Sequence, residues 1–399
     1  MQTRSLLLGF MNFAVTFAAC TSEVPLGNGS TTQAAGGEGQ PPHADGTCDP
    51  SLALCRGLCT AASCGAGDAG PGDAGRGTGD GSMPLHTPQV LVQGRESPFG
   101  IVVDTSSVYW TERGAPPVAG DPTGHGRVLK MPLSGGTPVT IAADEDGPSG
   151  IAVNATFVYW TNVGHSTSAG YVAGSGTVKK APVAGGLPST VVAADPEIPV
   201  QIGLDGTYMY YAANGASPTP TSGKFGLFRA PLAGGAPELL IPVGGLGAHH
   251  VGVNAGNLVW SSVNILRTDL VGHPAGGGTP VIWSPADTSI GWDLAIDSTN
   301  AYFTTLNTGK VFSVPLAGGA STELSNGSLG EGGGIAIDAT HAYWIACVVG
   351  TRVCSVQRVP LTGGAAETIA SGQSSAAYLT LDAGFVYWTT KNAVLRAPK

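Results

Sequence analysis

The sequence predicts an all-β fold, a seven-bladed β-propeller of four-stranded antiparallel blades. An apolar triplet that ends in Asp or Asn recurs seven times at intervals of 41 to 51 residues, and an aromatic doublet or its remnant begins five positions after each of these residues. No window of comparable length shows helical periodicity, and a repeat of this length with four short strands is typical of a propeller. The seven positions are Asp104, Asn154, Asp205, Asn254, Asp297, Asp338 and Asp382.

Each copy of the repeat contains four short strands separated by turn residues. The run IAVN and its equivalents are continuously apolar, as expected of a strand covered on both faces. The Asp or Asn that ends this run favours a tight turn, because its side chain can bond to the backbone two residues on. The aromatic doublet begins the second strand, and its rings are the expected fillers of the space between blades. The third strand ends near a proline, and in six copies a Gly-Gly pair then supplies the positive φ angles of a hairpin before the fourth strand.

The two ends of the repeat region predict how the ring closes. The seventh copy stops at VLRAPK, before any Gly-Gly pair, and so lacks a fourth strand of its own. Upstream of the first copy, residues 87–92 (TPQVLV) match the fourth-strand residues 137–142 (TPVTIA). We therefore expect the N-terminal strand to complete the last blade of a propeller that spans residues 87–399, which hides a sheet edge.

At these anchors, from about residue 88 to the end, the chain resembles the YWTD and NHL-type propellers. The tripeptide Tyr-Trp-Thr is intact in three copies, at 109–111, 159–161 and 387–389. The final Asp of the family motif is replaced by Glu112, Asn162 or Thr390, and the family form usually has six blades where seven copies are present here. The resemblance implies the propeller architecture and, more weakly, a receptor-like mode of ligand binding.

Residues 1–20 are predicted to be a lipoprotein signal peptide. Their apolar run is too short for a permanent membrane-spanning helix and is typical of a secretory signal. The segment Phe-Ala-Ala-Cys resembles a bacterial lipobox, so Cys20 is the expected lipidation site; a simple signal peptide with a leftover cysteine is the alternative. The residue after this cysteine is Thr21 rather than Asp, which resembles lipoproteins that are sent to the outer membrane. The expected location is therefore the bacterial cell envelope, lipid-anchored at the outer membrane or cell surface, with no other membrane contact.

Residues 21–86 have the composition of a disordered linker. The segment is rich in Gly, Ala, Asp, Ser and Pro and cannot bury enough apolar surface to offset its ordering entropy. It also carries a cluster of four cysteines, Cys48, Cys55, Cys59 and Cys64, at spacings that match no common zinc module. In an exported protein two disulfides are expected rather than a metal site, and three pairings remain open.

Composition narrows the classes of partner. Only 11% of the residues are charged, the formal net charge is -9, and no basic cluster occurs, which argues against nucleic acid and anionic lipid. No P-loop, GxSxG or HExxH motif is present. We expect a monomer that needs no cofactor.

One face of the ring is the predicted binding surface. Connections from the second to the third strand and from the fourth strand to the next blade share this face, which we call the loop face; the Asx turns and Gly-Gly hairpins share the opposite turn face. Long inserts at 113–126, 163–176 and 214–223 all belong to the loop face. Variable loops on a rigid scaffold commonly carry function, so a protein or polysaccharide partner is expected there.

The residue four positions before each Asx is predicted to lie at the mouth of the central channel on the loop face. Glycine occupies three of these positions, and the predicted ligand-binding residues are Gln201, His250, Asp293 and Tyr378. Polar side chains in such a channel commonly do no more than hydrogen-bond trapped water. His249 and His250 are adjacent on a strand and are expected to point to opposite sides.

His250 and Asp293 also suggest an alternative function. The two side chains can hold a divalent metal such as Ca²⁺ or Mg²⁺, or act as a base with its orienting acid. The protein would then be a metal-dependent lyase or lactonase-like hydrolase. Virginiamycin lyase and gluconolactonase-type propellers place a metal at this mouth, but their ligand sets are not matched here residue by residue.

Cys347 and Cys354 flank the connection between the second and third strands of the sixth copy. A disulfide that closes this small loop is expected in an exported protein. The alternative, a reactive thiol pair, lacks a CxxC spacing and a nearby base.

Overall fold

The computed structural model describes residues 53–55, 58–60, 87–114, 125–164, 166–167, 170–172, 174–195, 198–214, 226–242, 247–254, 256–263, 268–274, 281–283, 290–305, 308–325 and 330–399. The chain divides into two units, residues 1–80 and 81–399. In the first unit, Ala53–Cys55 and Leu58–Thr60 pair as an antiparallel hairpin. The predicted signal peptide with Cys20 and the rest of the predicted linker, including Cys48 and Cys64, lie outside the described residues.

The second unit confirms the predicted seven-bladed propeller of four-stranded antiparallel blades. The inner strands of blades 1 to 7 are Pro98–Val103, Pro148–Val153, Ile198–Leu204, Gly247–Asn254, Ile290–Ile296, Gly330–Ile337 and Leu379–Leu381. The second strands are Ser107–Glu112, Phe157–Asn162, Tyr208–Asn214, Asn257–Val263, Asn300–Thr305, His341–Val348 and Phe385–Thr389. The third strands are Gly126–Pro132, Gly176–Pro182, Gly226–Pro231, Thr268–Pro274, Val311–Pro315, Val353–Pro360 and Ala393–Pro398. The outer strands are Val139–Glu145, Ser189–Asp195, Glu238–Pro242, Val281–Trp283, Thr322–Ser325, Glu367–Ser374 and, in blade 7, Gln89–Gln93.

The inner strands of neighbouring blades contact one another all the way round the ring, so these strands line the central channel. A further short pair, Ser166–Thr167 with Gly170–Tyr171, lies in the insert of blade 2. Within the described part of the chain there is no helix, and therefore none that is long and apolar enough to cross a membrane.

The N-terminal strand closes the ring as predicted. Gln89–Gln93 pairs antiparallel with Ala393–Pro398, the third strand of blade 7. Two further contacts join blade 7 to blade 1. The Thr389 hydroxyl donates to the Phe99 carbonyl at 2.8 Å, and an Arg396 guanidinium nitrogen donates to the Leu133 carbonyl at 2.5 Å.

The aromatic doublets fill the space between blades, as expected. Because successive side chains of a strand point to opposite faces, the two rings of one doublet enter different inter-blade layers. Each of the seven buried clusters therefore joins the first doublet position of one blade to the second position of the next. The pairs are Tyr109 with Trp160, Tyr159 with Tyr211, Tyr210 with Trp260, Val259 with Phe303, Tyr302 with Trp344, Tyr343 with Trp388, and Tyr387 with Trp110.

The Asx turns fix the start of each doublet. Asp104 accepts hydrogen bonds from the amides of Ser106 (2.7 Å) and Ser107 (2.8 Å) and from the Tyr109 hydroxyl (2.8 Å). Partial burial opposes ionisation of Asp104, but these hydrogen bonds outweigh it and lower the pKa of the carboxyl. Four other blades repeat the aspartate–tyrosine bond, through Asp205 and Tyr210, Asp297 and Tyr302, Asp338 and Tyr343, and Asp382 and Tyr387.

Cys347 and Cys354 form the expected disulfide, with an S–S distance of 2.06 Å between directly paired residues of neighbouring strands. Replacing both cysteines by serine is expected to lower the free energy of unfolding by about 2 to 3 kcal/mol, because the closed loop restricts the unfolded chain. Urea unfolding of the oxidised parent and the double variant measures the difference. Equal stability of the two proteins, or native thiols that label with iodoacetamide, would contradict this account.

Candidate functional site

The channel mouth is built by β-bulges in the inner strands. Six of the seven inner strands show a register shift near their loop-face end. In blade 1, Pro98 pairs with Glu112 but Ile101 pairs with Trp110, so Phe99 and Gly100 both lie opposite the single residue between. Such a bulge re-aims the side chains of the bulged strand.

The bulge of blade 4 corrects the expectation that His249 and His250 point to opposite sides. Ala248 pairs with Ser262 and Val251 with Trp260, so both histidines lie opposite Ser261. Their rings lie with centroids 6.2 Å apart at an interplanar angle of 34°, whereas rings on opposite faces of a regular strand diverge. The simple alternation rule was wrong here, because two residues of one strand share one partner residue.

The threonine of the Tyr-Trp-Thr motif connects neighbouring bulges. The Thr111 hydroxyl accepts a hydrogen bond from the Gly100 amide (2.9 Å) and donates to the Ser149 carbonyl of blade 2 (2.8 Å). Thr161 makes the equivalent bonds to the Gly150 amide (3.0 Å) and the Val200 carbonyl (3.2 Å). This relay explains why a short hydroxyl side chain follows the aromatic doublet, and it fixes the mouth positions relative to one another.

Glycine occupies three mouth positions because the neighbouring inner strand lies too close for a side chain. A Cβ atom on Gly150 would lie 2.7 Å from the Gln201 Cα, and one on Gly334 would lie 2.9 Å from the Tyr378 Cα. A Cβ on Gly100 would collide with the Ser149 carbonyl. At the position four before each Asx residue, side chains therefore come from blades 3, 4, 5 and 7, which is where the sequence placed Gln201, His250, Asp293 and Tyr378.

Tyr378 is the centre of a cluster that crosses the channel mouth. Its ring contacts Phe99 of blade 1 edge-on, with centroids 4.7 Å apart. Gln201 of blade 3 is a hydrogen-bonding neighbour of the Tyr378 hydroxyl, and Asp293 of blade 5 and Arg113 of blade 1 also act on it electrostatically. Burial and the nearby Asp293 raise the pKa of Tyr378, so the hydroxyl is neutral and can donate a hydrogen bond.

His250 and Asp293 lie at the mouth but have separate partners. His250 is buried and contacts Ser261 through its Nδ1 (3.3 Å), and burial followed by the neighbouring His249 lowers its pKa to about 3. The Asp293 carboxyl accepts hydrogen bonds from the amides of Leu294 (2.9 Å) and Ile335, and burial raises its pKa to about 7. No hydrogen bond or ion pair joins these two described side chains. Within the described ranges, no group of three His, Cys, Asp or Glu residues has the geometry of a metal site.

Arg113 also lies near the mouth, but the sequence rule that selects the residue four positions before each Asx (the four-before-Asx rule) did not identify it. It directly follows the second strand of blade 1, and its guanidinium carbon lies 3.5 Å from the centroid of the Phe99 ring. One Nη donates to the Ser149 hydroxyl of blade 2 at 3.3 Å. One feature of the sequence could have indicated Arg113: it directly follows Tyr-Trp-Thr-Glu, at the loop-face end of a strand.

A second feature of the loop face is a hairpin closed by the Cys347–Cys354 disulfide. Its valine apex, defined as Val348, Val349 and Val353, is exposed to 40%, 62% and 47%. The Thr351 amide and hydroxyl both donate to the Val348 carbonyl, at 3.1 and 3.0 Å. The hairpin therefore presents apolar side chains on a cross-linked, hydrogen-bonded backbone.

Comparison with known proteins supports the fold alone. No protein-family model matches the chain, and no curated protein sequence matches it. Among solved structures, the chain is similar to YCF48 bound to D1 peptide, with 9% identity, a TM-score of 0.55, and coverage of 81% of this chain and 99% of that one. It is also similar to the computationally designed Ika8 protein, with 10% identity, a TM-score of 0.51, and coverage of 78% and 98%.

A third similar structure is the nidogen/laminin complex. The identity is 18% and the TM-score 0.45, and the match covers 59% of this chain and 86% of the other.

Proposed function

We propose that this protein binds a partner protein through the loop face of its propeller, with the valine apex as an apolar anchor. The proposal depends on one observation: Val348, Val349 and Val353 are exposed together on a hairpin that is already ordered. A partner that covers them removes apolar surface from water without first ordering a flexible loop, which is a large part of the cost of association.

The chemistry of the apex favours protein over polysaccharide. The valines carry no hydrogen-bonding groups, so covering them with a hydroxyl-rich chain would leave buried polar groups unpaired. Among the described residues, the exposed large apolar side chains are valines and one leucine, without an aromatic ring on which a sugar can stack. Binding of the D1 peptide by YCF48, a propeller of similar fold, supports a peptide or protein partner by fold similarity alone.

The test is a single charge at the apex. Val349→Asp is expected to weaken partner binding by about tenfold or more, because the complex would then bury an uncompensated carboxylate. The measurement is quantitative capture by the immobilised propeller from extracts of the producing organism, followed by titration of the recovered partner with parent and variant.

The matched control is Leu187→Asp. Leu187 is 91% exposed and follows the Gly-Gly pair of blade 2, so it lies on the turn face. The same chemical change there is expected to leave partner affinity within about twofold of the parent. A partner that binds Val349→Asp as well as the parent would contradict the proposal, and so would equal losses from both variants.

The same proposal places the propeller in the bacterial cell envelope, lipid-anchored through Cys20 and carried on the linker of residues 21–86. The lipobox-like Phe-Ala-Ala-Cys and the Gly-rich linker composition support this location. Metabolic labelling with palmitate is expected to label the full-length parent and not a Cys20→Ser variant. Equal labelling of both would contradict the lipoprotein assignment.

A further inference from the structure

We propose that the Cys347–Cys354 disulfide is a redox switch for the valine apex. A dithiol, on a second protein or as a small molecule, reduces the bond, and the apex then loosens and binds the partner more weakly. The oxidised form of the same dithiol reverses the step. This inference rests on the proposed function, because it adds a means of regulation to the same binding surface.

The disulfide lies directly beneath the apex. Cys347 and Cys354 are the last paired residues of the second and third strands of blade 6, and the exposed Val348 and Val353 follow them in the two arms. Thr351 supplies hydrogen bonds within the turn, from its amide and hydroxyl to the Val348 carbonyl and from the Val353 amide to its hydroxyl (3.2 Å). The disulfide is thus the covalent link between the two arms at the point where the turn begins.

The backbone of this region is held in a disfavoured conformation. Arg352 in the turn and Ser375 in the connection to blade 7 have φ angles of 57° and 50°, in the left-handed region that residues with a Cβ atom disfavour. The Ser375 amide donates to the Arg352 carbonyl at 2.7 Å, so the two residues constrain each other. Such strain persists only where the surrounding structure enforces it. Breaking the nearest covalent constraint therefore allows the turn to relax.

The two sulfur atoms also fill the loop-face end of the core between blades 6 and 7. Cys354 is buried in the cluster that contains Ala376 and Trp388, and the partly exposed Cys347 packs against this cluster. Two thiols need more space than a bonded pair, because sulfur atoms that are not bonded stay at van der Waals distance. A close-packed core leaves Cys354 little room to move. Reduction is therefore expected to displace Cys347 and the arm of the apex that follows it.

The blade itself is expected to stay folded after reduction. Each arm of the apex is also paired with a neighbouring strand, Val348 with Gly330 of the inner strand and Val353 with Ser374 of the outer strand. These ladders do not depend on the disulfide. The predicted change is thus local to the turn, residues 349–352, and to the connection that bonds to it.

The chemical step is thiol–disulfide exchange. A thiolate of the dithiol attacks the Cys347 sulfur, because Cys347 is the more exposed partner, and a mixed disulfide forms. The bond between the two protein sulfurs breaks, and Cys354 leaves as a thiolate that takes up a proton. The second thiolate of the dithiol then attacks the mixed disulfide and releases Cys347, which is protonated in turn. The dithiol loses two electrons and two protons, and the two cysteines gain them.

The first test measures the apex itself and needs no partner. The purified protein is treated with dithiothreitol under native conditions, and alkylation followed by mass spectrometry gives the reduced fraction of Cys347 and Cys354. Amide hydrogen exchange is then compared between the oxidised and reduced forms. We expect the fragments that contain Thr351 and Ser375 to exchange about tenfold or more faster when reduced. The fragment with Gly135, whose amide donates to the Pro132 carbonyl in the turn of blade 1 at 2.9 Å, is expected to stay unchanged.

The matched control is a double variant, Cys347→Ser with Cys354→Ser, which keeps every other cysteine of the chain. Its apex is expected to exchange as fast as that of the reduced parent and to show no response to dithiothreitol. A response in this variant as large as that of the parent would assign the effect to the other cysteines and overturn the inference.

The second test measures the affinity for the partner recovered by capture. Reduction of the parent is expected to weaken binding by about tenfold or more, and the double variant is expected to bind weakly with or without dithiothreitol. Three results would overturn the inference: a disulfide that dithiothreitol does not reduce in the folded protein, reduction without faster exchange at the apex, or reduction without weaker partner binding.

The Val349→Asp variant distinguishes failure of the switch from failure of the proposed function. If Val349→Asp weakens partner binding but reduction of the parent does not, the proposed function stands and redox control alone is rejected. If Val349→Asp leaves partner binding unchanged, the proposed function is rejected, and redox control of that binding is rejected with it.

Discussion

Replacing Trp160 by Ala is expected to lower the free energy of unfolding by about 3 to 5 kcal/mol. The indole is fully buried between blades 1 and 2, in the cluster that contains Tyr109, Val158 and Ala181. Its Nε1 also donates to the buried Glu145 carboxylate at 3.1 Å. The substitution therefore leaves a cavity between two blades and removes a hydrogen bond from a buried acid.

Urea unfolding of parent and variant measures this loss, with two controls. Trp160→Phe keeps most of the ring volume and is expected to cost less than half as much as Trp160→Ala. Leu187→Ala removes an exposed side chain on the turn face and is expected to change stability by less than about 0.5 kcal/mol. A loss below about 1 kcal/mol for Trp160→Ala would mean that the indole does not fill the layer between these blades.

Lowering the pH from 6 to 4.5 is expected to destabilise the propeller by about 1 kcal/mol per pH unit. In this window both His249 and His250 stay neutral when folded, with pKa values of about 4 and 3, but protonate when unfolded. Asp293 has the opposite effect, because its folded pKa of about 7 keeps it protonated in the folded state while the unfolded residue is ionised. The unfolded chain thus binds two protons, on His249 and His250, that the folded chain does not bind. The folded chain binds one proton, on Asp293, that the unfolded chain does not bind. The net difference is one proton, so stability falls as the pH falls.

Variants separate the contributions of the histidines and the acid. The Asp293→Asn variant lacks the proton that opposes the histidines, so its slope should be steeper, at about 2 kcal/mol per pH unit. His250→Gln removes one of the two histidine protons and should leave stability nearly constant between about pH 6 and 4.5. Urea unfolding at half-unit pH intervals gives the slopes. A parent whose stability rises as the pH falls through this window would contradict the burial of the histidines at the channel mouth.

The strands and their order could be predicted because the repeat signals are local. The Asx turn, the aromatic doublet and the Gly-Gly hairpin each depend on a few adjacent residues. Seven copies of the Asx turn and of the aromatic position, and six of the Gly-Gly pair, predicted the number of blades. The closing strand Gln89–Gln93 was identifiable because it matches other fourth strands in sequence.

The channel mouth was only partly predictable, because its geometry depends on the bulges. The four-before-Asx rule placed Gln201, His250, Asp293 and Tyr378 there, but it could not show which of these side chains interact. The structure brings Tyr378 towards Gln201 and Asp293, whereas His250 contacts Ser261 instead. A bulge leaves no local mark in the sequence, since it reflects pairing with a second strand.

Arg113 was missed for a related reason. Its contact with Phe99 joins a residue after the second strand to one in the bulge of the inner strand, fourteen positions earlier in the sequence. Hydrophobic periodicity and turn residues in the sequence do not indicate which side chains of different strands come into contact. Its strand-end position, on the face that carries the long inserts, was the one available indication.

The most direct test of partner binding through the loop face is site-specific photo-cross-linking in cells of the producing organism. A photoreactive residue is placed at position 349 of the valine apex or at position 187 on the turn face, and the adducts are identified by mass spectrometry. We expect a discrete adduct with one partner protein from position 349, and we expect this adduct to be absent from position 187. The same adducts from both positions, or an adduct from position 187 alone, would contradict it.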